Sequence, residues 1–288
     1  MEYVIHLAIL CSIYAILGMS LNLVTGFTGL VSMAHAAFFG IGAYVTAILM
    51  MTYGVNFFVA LVGGCLVTAI AALLIGVVLS RLSGDYYVLG TVGFNFIIFS
   101  LFLNWESVTR GALGIPGISR PEFFGISFFS NEAFFILSAV IALGVYFVSR
   151  FIVSSSFGRV LKAIREDEKA IQVFGYRTVR YKLLIFVVAA IGAASAGSFL
   201  ASYITFIDPA SFVLGESVLI VSMVILGGLA NLKGSIMGAL FLVILPEFLR
   251  FVGFPVEVAA QMRQVVYGLL LVTLMLYRPQ GLMGEYTL

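Results

Sequence analysis

Few side chains in this chain are of the types that act as nucleophiles, bases or metal ligands. The two cysteines, Cys11 and Cys65, lie in apolar runs without a histidine or an acidic residue at ligand spacing, which argues against a metal site or a disulfide framework. No Ser/His/Asp or Cys/His grouping can be recognised. None of the four lysines follows a glycine, so the phosphate-binding loop G-x-x-x-x-G-K-[ST] is absent. We predict neither an enzyme active site nor a metal or cofactor bound to this chain.

Polar residues interrupt the first long apolar stretch between Asn22 and His35. Gly26 and Gly29 allow a break between two helices, which would leave backbone groups and the Ser32 hydroxyl available where protein rather than lipid surrounds them. Ionisable groups such as His35, placed in or beside a membrane span, tend to face a cavity or a partner. We interpret Asn22, Gly29, Ser32 and His35 as candidate contacts for a polar cargo. A histidine that only packs, bonded to a neighbouring carbonyl, is the alternative for His35.

The composition places these residues in a membrane. Hydrophobic residues make up 62% of the chain and charged residues 10%, whereas about 25% of a soluble domain is charged. No Lys, Arg, Asp or Glu occurs from Tyr3 to Leu79. The apolar runs are long and do not alternate as in a β-barrel. We therefore predict an all-α, polytopic membrane protein forming a single domain over residues 1–288. Since the first basic residue is Arg81, the first segment is expected to be retained as a span.

Apolar runs predict about nine crossings, within a range of eight to ten. They are residues 3–24, 30–51, 56–80, 86–104, 131–152, 182–206, 214–230, 234–252 and 263–277. The crossings 214–230 and 263–277 are short enough to be re-entrant or buried against neighbours. Eight of the fifteen basic residues fall between Arg150 and Lys182, and short basic loops stay in the cytoplasm. We predict a cytoplasmic loop at 154–181, an exterior loop at 105–130, an exterior N-terminus and a cytoplasmic C-terminus.

The basic loop contains an amphipathic segment. Its apolar residues recur at helical spacing: Phe157, Val160, Leu161, Ile164 and Ile171. Ser155 or Ser156 can cap the start of this helix. A helix lying on lipid headgroups usually has a strongly basic polar face, whereas the run 165–169 mixes both charges. The segment therefore predicts a helix over 156–176 that contacts a protein partner.

At these residues the chain resembles the permeases of ATP-binding-cassette (ABC) importers, whose cytoplasmic loop carries a short helix that docks on the ATPase. Gly158, Ala163 and Gly175 match the alanine-glycine pattern of that helix. More closely, the stretch 157–168 resembles the branched-chain amino-acid permease family, in its M-type subunit.

The resemblance covers nearly the whole chain. Residues 21–44 are similar to the N-terminal signature of this family, with Met33 and Ala34 in place of the usual leucine and glycine. The later pattern continues from Tyr203 to Gly234 and closes at 277–282. In the exterior loop, Arg110 replaces the commoner glycine.

The resemblance implies a permease in the bacterial inner membrane that forms the translocation path for leucine, isoleucine and valine. Its implied partners are a second, H-type permease, two cytoplasmic ATPase subunits that bind ATP and Mg²⁺, a periplasmic amino-acid-binding protein and the lipid bilayer, with no nucleic acid. It implies that Arg110, Gly111 and Gly114 receive the binding protein, with an ordinary glycine-rich turn as the alternative. It assigns coupling to the ATPase to Phe157, Gly158, Arg159, Ala163, Arg165, Glu166, Asp167 and Gly175.

Three other functions stay open at this point. A related importer could carry urea or short amides. A proton-coupled secondary transporter would need a carboxylate within the membrane, and only Glu247, beside Pro246, is loosely placed for this. A passive channel would leave the helix over 156–176 without a partner.

Overall fold

The computed structural model describes residues 2–123 and 126–251, together with 265–266, 268–269, 272–273 and 281–283. The described residues form α-helices and four two-residue strands. The helices are α1 (Glu2–Thr28), α2 (His35–Tyr53), α3 (Phe57–Leu79), α4 (Asp85–Asn104), α5 (Glu106–Thr109), α6 (Asn131–Ser154), α7 (Ser156–Glu166), α8 (Glu168–Val173), α9 (Thr178–Ile204), α10 (Leu214–Gly227) and α11 (Leu232–Phe251). The strands are β1 (Ile115–Pro116), β2 (Glu122–Phe123), β3 (Ile126–Ser127) and β4 (Phe206–Ile207).

The prediction of a polytopic, all-α membrane protein is confirmed at this level. Six of the described helices are long and apolar enough to cross a membrane, namely α1, α2, α3, α4, α6 and α9. Two shorter apolar helices, α10 and residues 232–246 of α11, match the predicted crossings 214–230 and 234–252. The predicted crossing 263–277 lies largely outside the described residues. The total of nine therefore stays a prediction.

The break between the first two spans differs from the sequence-based expectation. α1 continues through Gly26 to Thr28, so Gly26 lies inside the helix and not in the break. The glycine at this position is required by packing, because a side chain at Gly26 would overlap the Asn22 amide and the Ala230 backbone. The chain leaves the helix at Gly29, where φ is +73°.

The α-helical bundle has two chemically distinct ends. At one end, which we call the basic end, α1 finishes and α7 packs on it, with the Arg165 guanidinium donating to the Gly26 carbonyl. The turn after α3 lies at the same end, since Ser80 and Lys182 line one small cavity. At the opposite end, the loop end, Asn56 between α2 and α3 donates to the Glu122 carbonyl at 2.7 Å. The basic loops thus share one end, and the loop 105–130 lies at the other.

The core is built around α1, α2 and α9, whereas α3, α4 and α6 have exposed apolar faces. Side chains such as Val62, Leu66 and Ile70 of α3 are more than half exposed, as expected for contact with lipid. Helices α2 and α9 approach each other through small residues, since a Cβ at Gly197 would overlap the Phe39 carbonyl oxygen. Such close contacts favour helix association in membranes, where no hydrophobic force drives it.

The loop end is folded into short elements. β1 pairs antiparallel with β4, with Ile115 opposite Ile207, and β2 pairs with β3. The Ser202 hydroxyl at the end of α9 donates to the Ser119 carbonyl at 2.8 Å. These bonds hold residues 115–119 of the loop against β4 and the end of α9.

We expect Gly197→Val to destabilise the bundle, because the new side chain would overlap the α2 backbone. Overpacking of this kind should lower the melting temperature of the purified protein by about 5 °C. Gly144→Val in α6 is the matched control, since nothing lies within 4 Å of a Cβ there. Thermal unfolding in detergent, followed by size-exclusion chromatography, measures both. Equal shifts for the two variants would contradict the proposed α2–α9 contact.

Candidate functional site

The chain between α1 and α2, residues 29–34, leads into the bundle without helical structure. The first turn of a helix leaves backbone N–H groups without partners, and Ala34 provides no side-chain cap. Other helices supply the acceptors. Met33 N donates to Thr91 Oγ1 of α4 at 3.0 Å, and Ala36 N donates to Ser217 Oγ of α10 at 3.0 Å. The start of α2 is therefore held by side chains that are distant in sequence.

A buried polar cluster forms where α2, α4 and α10 meet. Ser217 Oγ accepts the Ala36 N–H and also a bond from Asn95 Nδ2 at 3.2 Å. Both side chains are almost fully buried, and Asn95 Oδ1 has no partner among the described residues. We call Ala36 N, Asn95 and Ser217 the polar junction. Asn95 was missed by the sequence analysis, although a lone amide within a predicted span is a signal that could have identified it.

His35 lies beside the junction but is already bonded. Its Nε2 is 2.9 Å from Ser20 Oγ of α1. The Ser20 hydroxyl donates to the Leu17 carbonyl, so His35 Nε2 is the donor in their bond. In this structure His35 is thus bonded within the protein, to a hydroxyl and not to a carbonyl. Ser32 is buried nearby, and its Oγ accepts a long bond of 3.4 Å from Ala34 N.

Asn22 clamps the turn between α10 and α11. Its Nδ2 donates to the Asn231 carbonyl at 3.0 Å and to Ser235 Oγ at 2.6 Å. Its Oδ1 accepts from Ala230 N at 3.0 Å, where the backbone has a φ of +60°. Gly29 lies at the basic end against Arg165. Of the four predicted cargo contacts, Ser32 and His35 therefore flank the polar junction, whereas Asn22 and Gly29 hold the basic end together.

A carboxylate within the membrane region was also missed by the sequence analysis. Glu216 lies in the first turn of α10, and the Tyr14 hydroxyl from the middle of α1 donates to its Oε1 at 2.7 Å. Its place inside the predicted crossing 214–230 is the signal that identifies it. The side chain of Glu247, the carboxylate considered from sequence, lies outside the described residues.

The predicted helix over 156–176 is two helices, α7 and α8. Ser155 caps α7 by accepting from Gly158 N at 3.3 Å. The chain then bends at Asp167, whose carboxylate accepts from Lys169 N and Ala170 N at 2.9 and 3.0 Å. An aspartate in this position is a strong helix N-cap. Because Asp167 caps the start of α8, α7 ends at Glu166.

Several predicted coupling residues attach α7 to the membrane helices. Gly158 is buried, and a Cβ there would overlap the Val153 carbonyl at the end of α6. Phe157 stacks on Tyr181 of α9, with ring centroids 5.2 Å apart. Arg165 bonds the end of α1, as described above, and Ala163 is half-buried. Arg159, Glu166, Asp167 and Gly175 are exposed and form the outer surface of the pair.

An ion pair fixes α8 to the base of α9. Lys182 Nζ lies 3.0 Å from both carboxylate oxygens of Glu168, and Lys182 is only 5% exposed. The Thr178 hydroxyl donates to the same carboxylate at 2.9 Å. Beyond α8, the turn 173–176 presents Val173 and Phe174, which are 87% and 77% exposed. The helix pair thus forms a fixed platform with an apolar tip.

The three candidate residues of the loop end lie in a sharp turn. Arg110, Gly111 and Gly114 all have positive φ angles, of 61°, 57° and 69°. Arg110 is exposed, whereas Gly111 and Gly114 are buried. A Cβ at Gly114 would overlap the Ile207 carbonyl. The two glycines therefore shape the loop, and Arg110 is the member accessible to a partner.

We expect Asn22→Leu to destabilise the basic end, because it removes the acceptor of Ala230 N and the amide donor to the Asn231 carbonyl and Ser235 Oγ. The loss should be at least about 2 kcal/mol, seen as a lower melting temperature. Asn104→Leu is the control, since the exposed Asn104 bonds only Ser100 one turn before it. A melting temperature unchanged by Asn22→Leu would show that the clamp contributes nothing to stability.

Comparison with known proteins identifies the family. The family described as the permease component of the branched-chain amino acid transport system matches residues 3–275. The high-affinity branched-chain amino acid transport system permease protein LivM of Salmonella typhimurium is 34% identical over 97% of this chain and 69% of its own length, as is that of Escherichia coli. The corresponding protein LivH of Escherichia coli is 27% identical over 95% of this chain and 92% of its own. No solved structure matches. The chain belongs to the branched-chain amino acid transport permease family, as a multi-pass membrane transport component of the M type.

Proposed function

We propose that this chain is the M-type permease subunit of an ABC importer that moves branched-chain amino acids across the bacterial inner membrane. The observation that carries the proposal is the α7–α8 platform, which is anchored to α1, α6 and α9 and presents an exposed apolar tip. A surface fixed in this way is suited to receive force from a soluble partner. ATP and Mg²⁺ would be bound by two ATPase subunits docked there.

Movement of the platform would reach the polar junction through packed helices. Arg165 and Phe157 connect α7 to α1 and α9. Helix α1 contributes Ser20, which holds His35 at the start of α2, and α9 packs closely on α2. A conformational change requires contacts that differ between the two states. Closure of the ATPase pair would supply that difference at the platform and shift α2 against α4 and α10.

The remaining partners are inferred from the orientation of the chain in the membrane and from the names of the relatives. Basic loops stay in the cytoplasm, so the basic end faces the cytoplasm and the loop end faces the periplasm. There the exposed Arg110 would meet a periplasmic amino-acid-binding protein. An H-type permease, like the LivH relatives, would complete the translocation path. Branched-chain amino acids are proposed as cargo because the relatives are named for them, and urea or short amides are the competing cargo.

A proton-coupled carrier is the second candidate, and Glu216 is the observation that favours it. An ionisable residue inside a membrane is a candidate for proton transfer. Uptake into reconstituted vesicles separates the two mechanisms. Uptake by an ABC importer continues when a protonophore collapses the proton gradient and stops when ATP is withdrawn. Uptake by a proton-coupled carrier stops with the protonophore and continues without ATP.

We expect Phe174→Asp to abolish ATPase docking without unfolding the permease, because the side chain is exposed and makes the apolar tip of the platform. Recovery of the ATPase subunits on co-purification should fall roughly tenfold, as for loss of an interface hot spot. Leu113→Asp is the matched control, an equally exposed apolar residue at the loop end, 84% exposed.

The two variants distinguish the possible results. Loss of the ATPase with Phe174→Asp alone supports docking at the platform. Full recovery of the ATPase with Phe174→Asp would exclude the 173–176 turn as the contact. A wild-type chain that folds and binds no ATPase would contradict the ABC permease function itself.

A further inference from the structure

Two groups at the polar junction have unused hydrogen-bonding capacity. Asn95 Oδ1 is buried without a partner among the described residues. Ser217 Oγ accepts two bonds, and no described residue accepts a bond from its hydroxyl proton. A buried polar group left unsatisfied costs about 1–3 kcal/mol. The junction therefore holds one free acceptor and one free donor side by side, inside the membrane.

Two helices also begin at this place. α2 starts at His35 and α10 at Leu214, and neither has a side-chain hydrogen bond at its N-cap. Phe212, two residues before α10 begins, packs edge-on against Phe39 of α2 with ring centroids 5.3 Å apart. Helix N-termini carry partial positive charge and bind anionic groups, and interrupted membrane helices use them for substrate carboxylates.

The surroundings of the junction are apolar and aromatic. Phe38 packs on Phe94, the residue next to Asn95, with centroids 5.3 Å apart. Phe39 and Phe212 lie on the other side, towards Tyr44. An apolar side chain placed here would contact aromatic rings, while its polar main-chain groups met the junction. Glu216, next to Ser217, is bonded towards α1, where the Tyr14 hydroxyl donates to its carboxyl group.

We propose that the polar junction binds the main-chain groups of the transported amino acid. Asn95 Oδ1 accepts from the ammonium group. The Ser217 hydroxyl donates to the carboxylate, which the partial positive charge at the starts of α2 and α10 also favours. The assignment rests on the proposed function and specifies its cargo site. Asn95 and Ser217 are at most 1% exposed in this structure, so the cargo enters when α4 and α10 separate.

The test uses the complete importer, with its binding protein and ATPase subunits, reconstituted in proteoliposomes. Asn95→Leu and Ser217→Ala each remove one group that the cargo would bond. The control is Thr68→Val, which removes another buried hydroxyl without a partner, on α3 and away from the junction. Maximal uptake rates of leucine, isoleucine and valine are measured at saturating binding protein, together with basal ATP hydrolysis and melting temperature.

We expect Asn95→Leu and Ser217→Ala to lower maximal uptake by about tenfold, since each loses a hydrogen bond to a charged group. The factor should be the same for all three amino acids, because the lost bonds go to main-chain groups. Basal ATP hydrolysis should stay at the wild-type value. Asn95→Leu loses only its bond to Ser217, so its melting temperature should fall little, whereas Ser217→Ala leaves the Ala36 amide unpaired and should lower the melting temperature by a few degrees. Thr68→Val should transport like the wild type.

Other results overturn the assignment. Wild-type uptake in both variants excludes the junction as the cargo site while leaving the proposed function intact. A loss that affects one amino acid only shows a side-chain role, and a loss in Asn95→Leu that comes with a melting temperature as low as that of Ser217→Ala shows a structural role. Should Asn95→Leu fail to assemble, the uptake of Ser217→Ala per folded importer decides. A wild-type importer that carries no branched-chain amino acid overturns the proposed function, and the cargo site with it.

Discussion

Backbone groups that leave a helix inside a membrane must find partners within the protein, because lipid offers none. This constraint explains the arrangement at the start of α2. The break at 29–34 frees the backbone amides of Met33 and Ala36, which donate hydrogen bonds to Thr91 and Ser217. These two acceptors lie on helices later in the chain. The same requirement explains Asn22, whose amide satisfies the turn between α10 and α11. These polar side chains thus provide the hydrogen-bond partners that non-helical backbone requires inside the bundle.

At the polar junction, not every hydrogen-bonding group has a partner among the described residues. The backbone amides of Met33, Ala36 and Ala230 all have acceptors, whereas Asn95 Oδ1, where α2, α4 and α10 meet, has no partner in the described part of the chain. Buried polar groups with unused capacity are uncommon in folded proteins, and transport requires a place where bonds to a cargo can form and break. Aromatic rings lie near the junction, as a branched side chain of the proposed cargo would require.

Small residues connect this junction to the basic end. Gly197 lets α9 approach α2 closely, and Lys182 at the base of α9 pairs with Glu168 of the platform. Packed helices with little free space transmit displacement as rigid bodies. The platform and the junction are therefore connected through the packing of α9 on α2, even though α8 and α2 are far apart in sequence.

Composition and local pattern determined much of this protein. The absence of charge from Tyr3 to Leu79 required membrane helices, and the observed helices match the predicted spans within a few residues wherever the chain is described. Ser155 was recognisable as a cap because capping depends on neighbours three residues away. Two local predictions failed: Gly26 lies inside α1, since Ala230 packs on it, and Asp167 divides one predicted helix into two.

The roles of individual polar residues were decided by the tertiary structure alone. Asn22 is a clamp because residues more than two hundred positions later reach its amide. Asn95 and Ser217 meet although 122 positions separate them, and Tyr14 reaches Glu216 across 202. A hydrogen bond is short-ranged, so its partner can be read from sequence only when it lies within a turn or so of helix. The spans follow from hydrophobicity along the chain, whereas the proposed cargo site and the platform follow from which helices pack together.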